Sequence, residues 1–277
     1  MPVTNYGIVL PYLSARETAS FAQLAEESGW DGVFVGDAIW TQDPLILLTA
    51  AAMTTSRIHL VTMVLAMPLR DPRHLASESL ALDILSEGRL ILGLATGATW
   101  MGWAGFPDLP TDVRTRNEML SESIDILTRM HQSQQFDYDG QHYRVKLSQV
   151  DPMHYPPPSF QKPRVPIWIP AVWPRKQNVQ RVLKCDGVFP QKIDPEGKFS
   201  TLAPEDVYAM KTFVEQNRDM STPFDICVEG KTGGLEPEQA REVVRPWSDA
   251  GATWWVESTW ETGKAGLPER IRQGPPR

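Results

Sequence analysis

A short apolar run followed by a capped amphipathic stretch recurs eight times along this chain, and that alternation restricts it to a parallel sheet covered by helices. The runs fall at 6–10, 32–36, 58–65, 90–95, 167–169, 187–189, 224–229 and 252–257. Helix starts are marked by chemistry that satisfies free backbone donors. Ser14 and Glu17 form a capping box, and Asp43-Pro44 and Asp71-Pro72 each put an N-cap before a proline at the first helical position. Gly29 and Gly88 stand where the first and third helices must stop. Further helices are expected at about 111–132, 177–184, 204–218, 238–247 and 268–272. The rhythm breaks once, over residues 134–163, where Asp139-Gly140 marks a hairpin and five prolines follow, from Pro152 to Pro163. Eight is the strand number at which such a sheet closes on itself. The expected fold is a single (β/α)8 TIM barrel over residues 1–277, with that segment as an excursion between the fourth helix and the fifth strand.

Charge narrows the partners. Lys plus Arg number 27 against 34 Asp plus Glu, a formal charge of −7, and the basic residues form no stripe, so nucleic acid is not an expected partner. No eighteen apolar residues run together and no basic segment precedes an apolar one at the start, so no membrane partner is expected and the expected location is the cytoplasm. Cys185 and Cys227 are the two cysteines, each in an apolar stretch, and read as buried thiols.

In a barrel of this kind the chemistry sits at the C-terminal ends of the strands. That rim carries Asp37 and Trp40 after the second run, Thr96, Gly97, Trp100 and Trp103 after the fourth, and Trp173, Arg175, Lys176 and Asn178 after the fifth. It continues with Gln191 and Lys192 after the sixth run, Glu229 and Lys231 after the seventh, and Glu257 and Trp260 after the eighth. Five of the ten tryptophans therefore lie on the rim, enough to form a flat apolar slot for a planar heterocycle or to pack as a lid. Trp168, Trp254 and Trp255 fall inside strands and read as core. No histidine falls at a strand end, which removes a metal-dependent hydrolase, and no metal site is expected. Glu229 and Glu257 keep a glycosidase as an alternative, and Lys192 reads as solvated rather than as a Schiff-base lysine. Two stretches are candidates for holding a phosphate: residues 230–234, equally readable as a turn, and residues 173–178, equally readable as a basic helix start.

Several stretches together resemble the luciferase-like monooxygenases, barrel enzymes that use flavin or deazaflavin. The resemblance is carried by 29–37 (GWDGVFVGD), 56–60 (SRIHL), 82–93 (LDILSEGRLILG), 139–143 (DGQHY), 161–169 (QKPRVPIWI) and 186–190 (DGVFP), in the family's order. It implies an oxidoreductase that binds FMN, with coenzyme F420 as the alternative, and transfers oxygen or hydride to a small organic substrate. The ring would lie under Trp40, Trp100, Trp103 and Trp173 against Asp37, Met63, Val64, Thr96 and Gly97, with Arg175, Lys176 and Asn178 at the phosphate. A bulge after the third strand, often with a non-prolyl cis peptide, would fall at Met63 and Val64. The substrate pocket would take Trp100, Trp103, Gln191, Glu229 and Trp260, and Asp37 is the expected catalytic residue, its other reading being a loop cap. A flavin reductase and a second copy of the chain are the implied partners. The chain departs from the family at Ala38, where many F420-using relatives have histidine, and at Ala98, where an acid is frequent. A barrel that binds flavin without turnover is therefore the remaining alternative.

Overall fold

The capping signals sit where the helices begin. In the computed structural model, which describes residues 5–277 with the side chains of 176–178 excepted, Ser14 and Glu17 form the reciprocal box at the start of α1 (Ala15–Glu27). Asp43 and Asp71 accept first-turn N–H donors of α2 (Pro44–Ala52) and α3 (Pro72–Leu85). Gly29 and Gly88 take positive φ values of 86° and 83° just past α1 and α3, a conformation that costs glycine nothing.

The strands are β1 (Asn5–Val9), β2 (Gly32–Val35), β3 (His59–Thr62), β4 (Leu90–Ala95), β5 (Ile167–Trp173), β6 (Gly187–Ile193), β7 (Asp225–Gly230) and β8 (Trp254–Glu257). Each pairs in parallel with the next, and β8 pairs with β1, so the sheet closes as the expected (β/α)8 barrel. The remaining helices are α4 (Val113–His131), α5 (Lys176–Val182), α6 (Pro204–Asn217), α7 (Pro237–Ala250) and α8 (Leu267–Arg272). The excursion contains an antiparallel hairpin, Asp137–Asp139 with Arg144–Lys146. It is tied down by Glu122 of α4, which accepts the N–H groups of Gln141, His142 and Tyr143.

Strand parity separates two layers. Val9, Phe34, Val61, Ile91, Trp168, Phe189, Cys227, Trp254 and Val256 fill the barrel interior, while alternate residues such as Ile8, Leu60, Leu92, Ile169 and Val228 pack outward under the helices. The interior is a jigsaw of large and absent side chains. Trp168 and Trp254 meet edge-on at 5.6 Å, and a Cβ on Gly7 would lie 2.2 Å from Phe34, on Gly187 2.5 Å from Trp168. Trp168, Trp254 and Trp255 are core, as their strand positions imply. Two expected strands are too short: β5 and β6 run on to Trp173 and Ile193. Pro170 and Pro190, just past the expected ends, sit inside the paired register opposite Phe189 and Ala171.

Candidate active site

At the C-terminal mouth, β3 ends at Thr62, a bulge follows, and pairing resumes at Leu65–Ala66 beside β4. The Met63–Val64 peptide in that bulge is cis. Met63, Val64 and Trp260 lie half-buried on top of the interior layer and form an apolar floor to the mouth.

Asp37 stands beside the bulge and is fully engaged. Its Oδ2 accepts the Ala66 N–H at 3.1 Å, and its Oδ1 accepts Arg70 Nη2 at 3.1 Å, with the carboxylate side chain only 6% exposed. Arg70 reaches on to Asp43 through Nη1 at 2.7 Å. Burial works against the Arg70 charge, but the Asp37 and Asp43 carboxylates outweigh it and raise its pKa. This arrangement holds the bulge to the β2 exit. Arg70, in the segment before α3, had no sequence signal beyond being basic.

The rim tryptophans divide by location. Trp103 is buried against Gly97, where a Cβ would lie 2.3 Å from its ring, and Arg116 stands 5.8 Å from the ring centroid. Trp40 is 67% exposed and leans on Phe106 at 5.0 Å, joining the loops after β2 and β4, while Trp100 is exposed. Trp173 does not face the mouth. Parity turns it outward, where it packs 5.7 Å from Phe213 of α6, and the same parity sends Lys192 outward to Asp206.

Thr96, Arg175 and Gln191 do come together. With Ala95, Val172 and Arg181 they line a cavity of about 570 Å³ across the ends of β4, β5 and β6. Arg181 reaches across to α4 and is held by neutral acceptors only: Ser121 Oγ at 3.1 Å, Asn117 Oδ1 at 3.0 Å and the Asn117 carbonyl at 3.2 Å. Burial lowers its pKa. Arg116 donates through Nη1 to the carbonyls of Thr96 and Gly97 at 3.1 and 2.8 Å, and its buried Nε has no partner. No ion pair with a described carboxylate involves Arg116, Arg175 or Arg181. The sequence reading found Arg175 but missed the other two, whose helix positions carry no rim signal. The expected Lys176 and Asn178 have side chains outside the described residues.

Backbone donors of the turn after β7 are taken by the chain itself. Glu257 accepts the N–H groups of Thr232 and Gly233 at 2.9 and 2.8 Å, the Thr232 hydroxyl at 2.8 Å, and Arg270 Nε at 3.2 Å. Burial alone would raise this carboxyl, but Arg270 and the loop donors hold it below the usual carboxylate range. Residues 230–234 therefore cradle an internal carboxylate. Glu229, by contrast, is exposed at the mouth, and its Oε1 accepts Trp260 Nε1 at 2.6 Å.

The sequence and the fold match known proteins. The model of the family described as luciferase-like monooxygenase matches residues 3–261, and the chain belongs to that family. Among curated relatives, an F420-dependent glucose-6-phosphate dehydrogenase of Kineococcus radiotolerans is 31% identical over 249 residues, covering 85% of this chain and 69% of that protein. The corresponding enzyme of Microbacterium testaceum is 30% identical over 206 residues, covering 68% of this chain and 56% of its own length. The chain spans about half the length of several curated relatives that it matches. Among solved structures, an F420-dependent secondary alcohol dehydrogenase in complex with an F420-acetone adduct superposes with a TM-score of 0.75 at 13% identity, covering 99% of this chain and 98% of that one. The FMN-bound oxygenating constituent of 3,6-diketocamphane monooxygenase from Pseudomonas putida gives 0.65 at 16%, covering 99% and 78%. These two likenesses establish the fold. No described helix is long and apolar enough to cross a membrane.

Proposed function

We propose that this protein is an oxidoreductase that binds a flavin-type cofactor across the barrel mouth, coenzyme F420 in preference to FMN. The observation that carries the reading is the arginine group around the ends of β4 and β5. Arg175 and Arg181 line one cavity, Arg116 anchors the backbone of Thr96 beside it, and none is neutralised by a described carboxylate. Guanidinium forks that lack a counter-charge suit the phosphate common to both cofactors. The preference for F420 is supported by the names of the relatives at 30–31% identity. It replaces the expectation of FMN as first choice.

When bound, such a cofactor supplies a hydride or, as reduced flavin, reacts with oxygen. The chain's own contribution is placement. Met63, Val64 and Trp260 exclude water from one face of the mouth, and Asp37 fixes the bulge through Arg70 and the Ala66 N–H. Ala38 offers no group that exchanges a proton. Glu229 Oε2, which has no partner among the described residues, is the atom we assign to hold a proton at the mouth, while Oε1 stays on Trp260. A second reading, reduced FMN with oxygen, is favoured by Ala38 and Ala98, because oxygen chemistry asks less of side-chain acids and bases. A flavin reductase and a second copy of the chain remain the proposed partners.

Arg175→Ala and Arg181→Gln are expected to weaken cofactor binding by about tenfold or more each, measured by fluorescence titration. Unchanged affinity in both variants would move the phosphate away from this cavity.

A further inference from the structure

A second cavity of about 380 Å³ opens on the opposite side of the mouth, at the ends of β1, β2 and β8. Its walls include Tyr12, Trp40 and Trp260, with Leu10, Gly36 and Gln42, and every residue that lines it is uncharged. The Tyr12 and Trp260 rings stand 6.3 Å apart at 57°. Gly36 makes room for the indole, since a Cβ there would lie 2.9 Å from the Trp260 ring.

One feature of these aromatics is not explained by folding. Tyr12 has φ +49°, a conformation that a bulky L residue holds only where its surroundings or its function demand it, and yet its side chain is 59% exposed. Trp40 is likewise displayed to solvent. No cation lines the slot, and Arg70, Lys264 and Lys231 are paired with Asp37 and Asp43, with Glu17 and with Glu261. Glu229, on the far edge of Trp260, adds negative charge. Gln42 gives its Oε1 to the Ala15 N–H at 3.1 Å and keeps its amide NH2 to donate.

We infer that this slot is the substrate site and that it takes a flat, uncharged, largely apolar molecule bearing one carbonyl or hydroxyl oxygen for Gln42. A sugar phosphate would bring its charge among uncharged, largely aromatic walls with a carboxylate on the far edge of Trp260, and placing an anion against such walls without a paired cation is unfavourable. The slot also lies apart from the arginines that suit a phosphate. Calling the occupant a substrate rests on the oxidoreductase reading, whereas the binding itself does not.

The test is titration of the full-length protein, by calorimetry, with 2-naphthol and separately with glucose 6-phosphate. Wild type is expected to saturate with 2-naphthol and to show no saturable binding of the sugar phosphate. Trp40→Ala and Tyr12→Gly, the latter matched to the positive φ, should each weaken 2-naphthol about five- to tenfold, and Tyr12→Gly should do so with the thermal unfolding midpoint unchanged or raised. Saturable binding of glucose 6-phosphate, no binding of 2-naphthol to wild type, or undiminished binding in both variants would overturn the inference. F420 titration of the wild type, run in parallel, keeps the two readings separate. Naphthol binding that depends on Tyr12 and Trp40, with no F420 binding, would sink the cofactor reading and leave the slot standing.

Discussion

Replacing Asp37 by asparagine separates a catalytic carboxylate from one that holds the active-site backbone. The Asp37 side chain is 6% exposed and that of Arg70 17%, so the pair is shielded from solvent. Removing one partner of a buried ion pair typically costs about 3–5 kcal/mol, because the other charge is left uncompensated. Here Arg70 retains Asp43, whose side chain is 39% exposed, and an asparagine oxygen still accepts the Ala66 N–H. The expected loss is therefore smaller, about 1–3 kcal/mol. Urea unfolding of wild type, Asp37→Asn, Arg70→Met and the double variant gives the coupling directly, and we expect about 1–2 kcal/mol between the two sites. Additive single effects, to within about 0.5 kcal/mol, together with full stability of Asp37→Asn would refute the positioning role. The carboxylate would then be free to act on a ligand.

Other consequences can be checked as directly. His131 is buried against Ser79, and burial, with Arg164 nearby, pushes its pKa down to about 3. The unfolded chain takes up this proton first, so the contribution is intact above about pH 6.5 and is lost as pH falls toward 3, by about 1.4 kcal/mol per unit. His131→Gln should flatten the fall in stability between pH 6 and 5, and an unaltered slope would show that another group causes it. Burial pushes the Cys185 thiol up to about 12 and raises Cys227 as well, so the native protein should not react with a thiol-specific disulfide reagent at pH 8 until it is unfolded. Reaction of either thiol at native rates would contradict their burial. A Cβ on Gly93 would lie 2.0 Å from the Thr62 carbonyl, backbone against backbone, so Gly93→Ala should destabilise by about 1–3 kcal/mol or more in thermal unfolding. An unchanged midpoint would mean that the β3–β4 contact yields.

Much of the architecture was legible because it is written in local chemistry. Ser14 with Glu17, Asp43 with Pro44 and Asp71 with Pro72 act within one helical turn, and the closed barrel follows from how often such units recur. What could not be read was which way a strand-end side chain points once prolines obscure the strand's length. Ending β5 and β6 at Ile169 and Phe189 puts Trp173 and Lys192 in rim loops, with Trp173 free to face the mouth. Three further paired positions, Ala171 with Pro190, Val172 with Gln191 and Trp173 with Lys192, set their direction by parity. The site's fixed charges were hidden for a different reason. Arg70, Arg116 and Arg181 reach it from helices or the segments before them, and only the fold brings them to the carboxylate, carbonyls and cavity that they serve. At 230–234, readable as a phosphate turn or a plain one, nothing local announces that Glu257, more than twenty residues on, takes the Thr232 and Gly233 donors.

The central claim is that the arginine-lined mouth binds a phosphate-bearing flavin-type cofactor, and F420 over FMN. Fluorescence titration of the purified full-length protein with each, oxidised and reduced, tests it most directly. The account predicts saturable F420 binding at least about tenfold tighter than FMN, weakened by salt as a guanidinium–phosphate contact requires. Binding of neither cofactor, or of FMN alone, would contradict it.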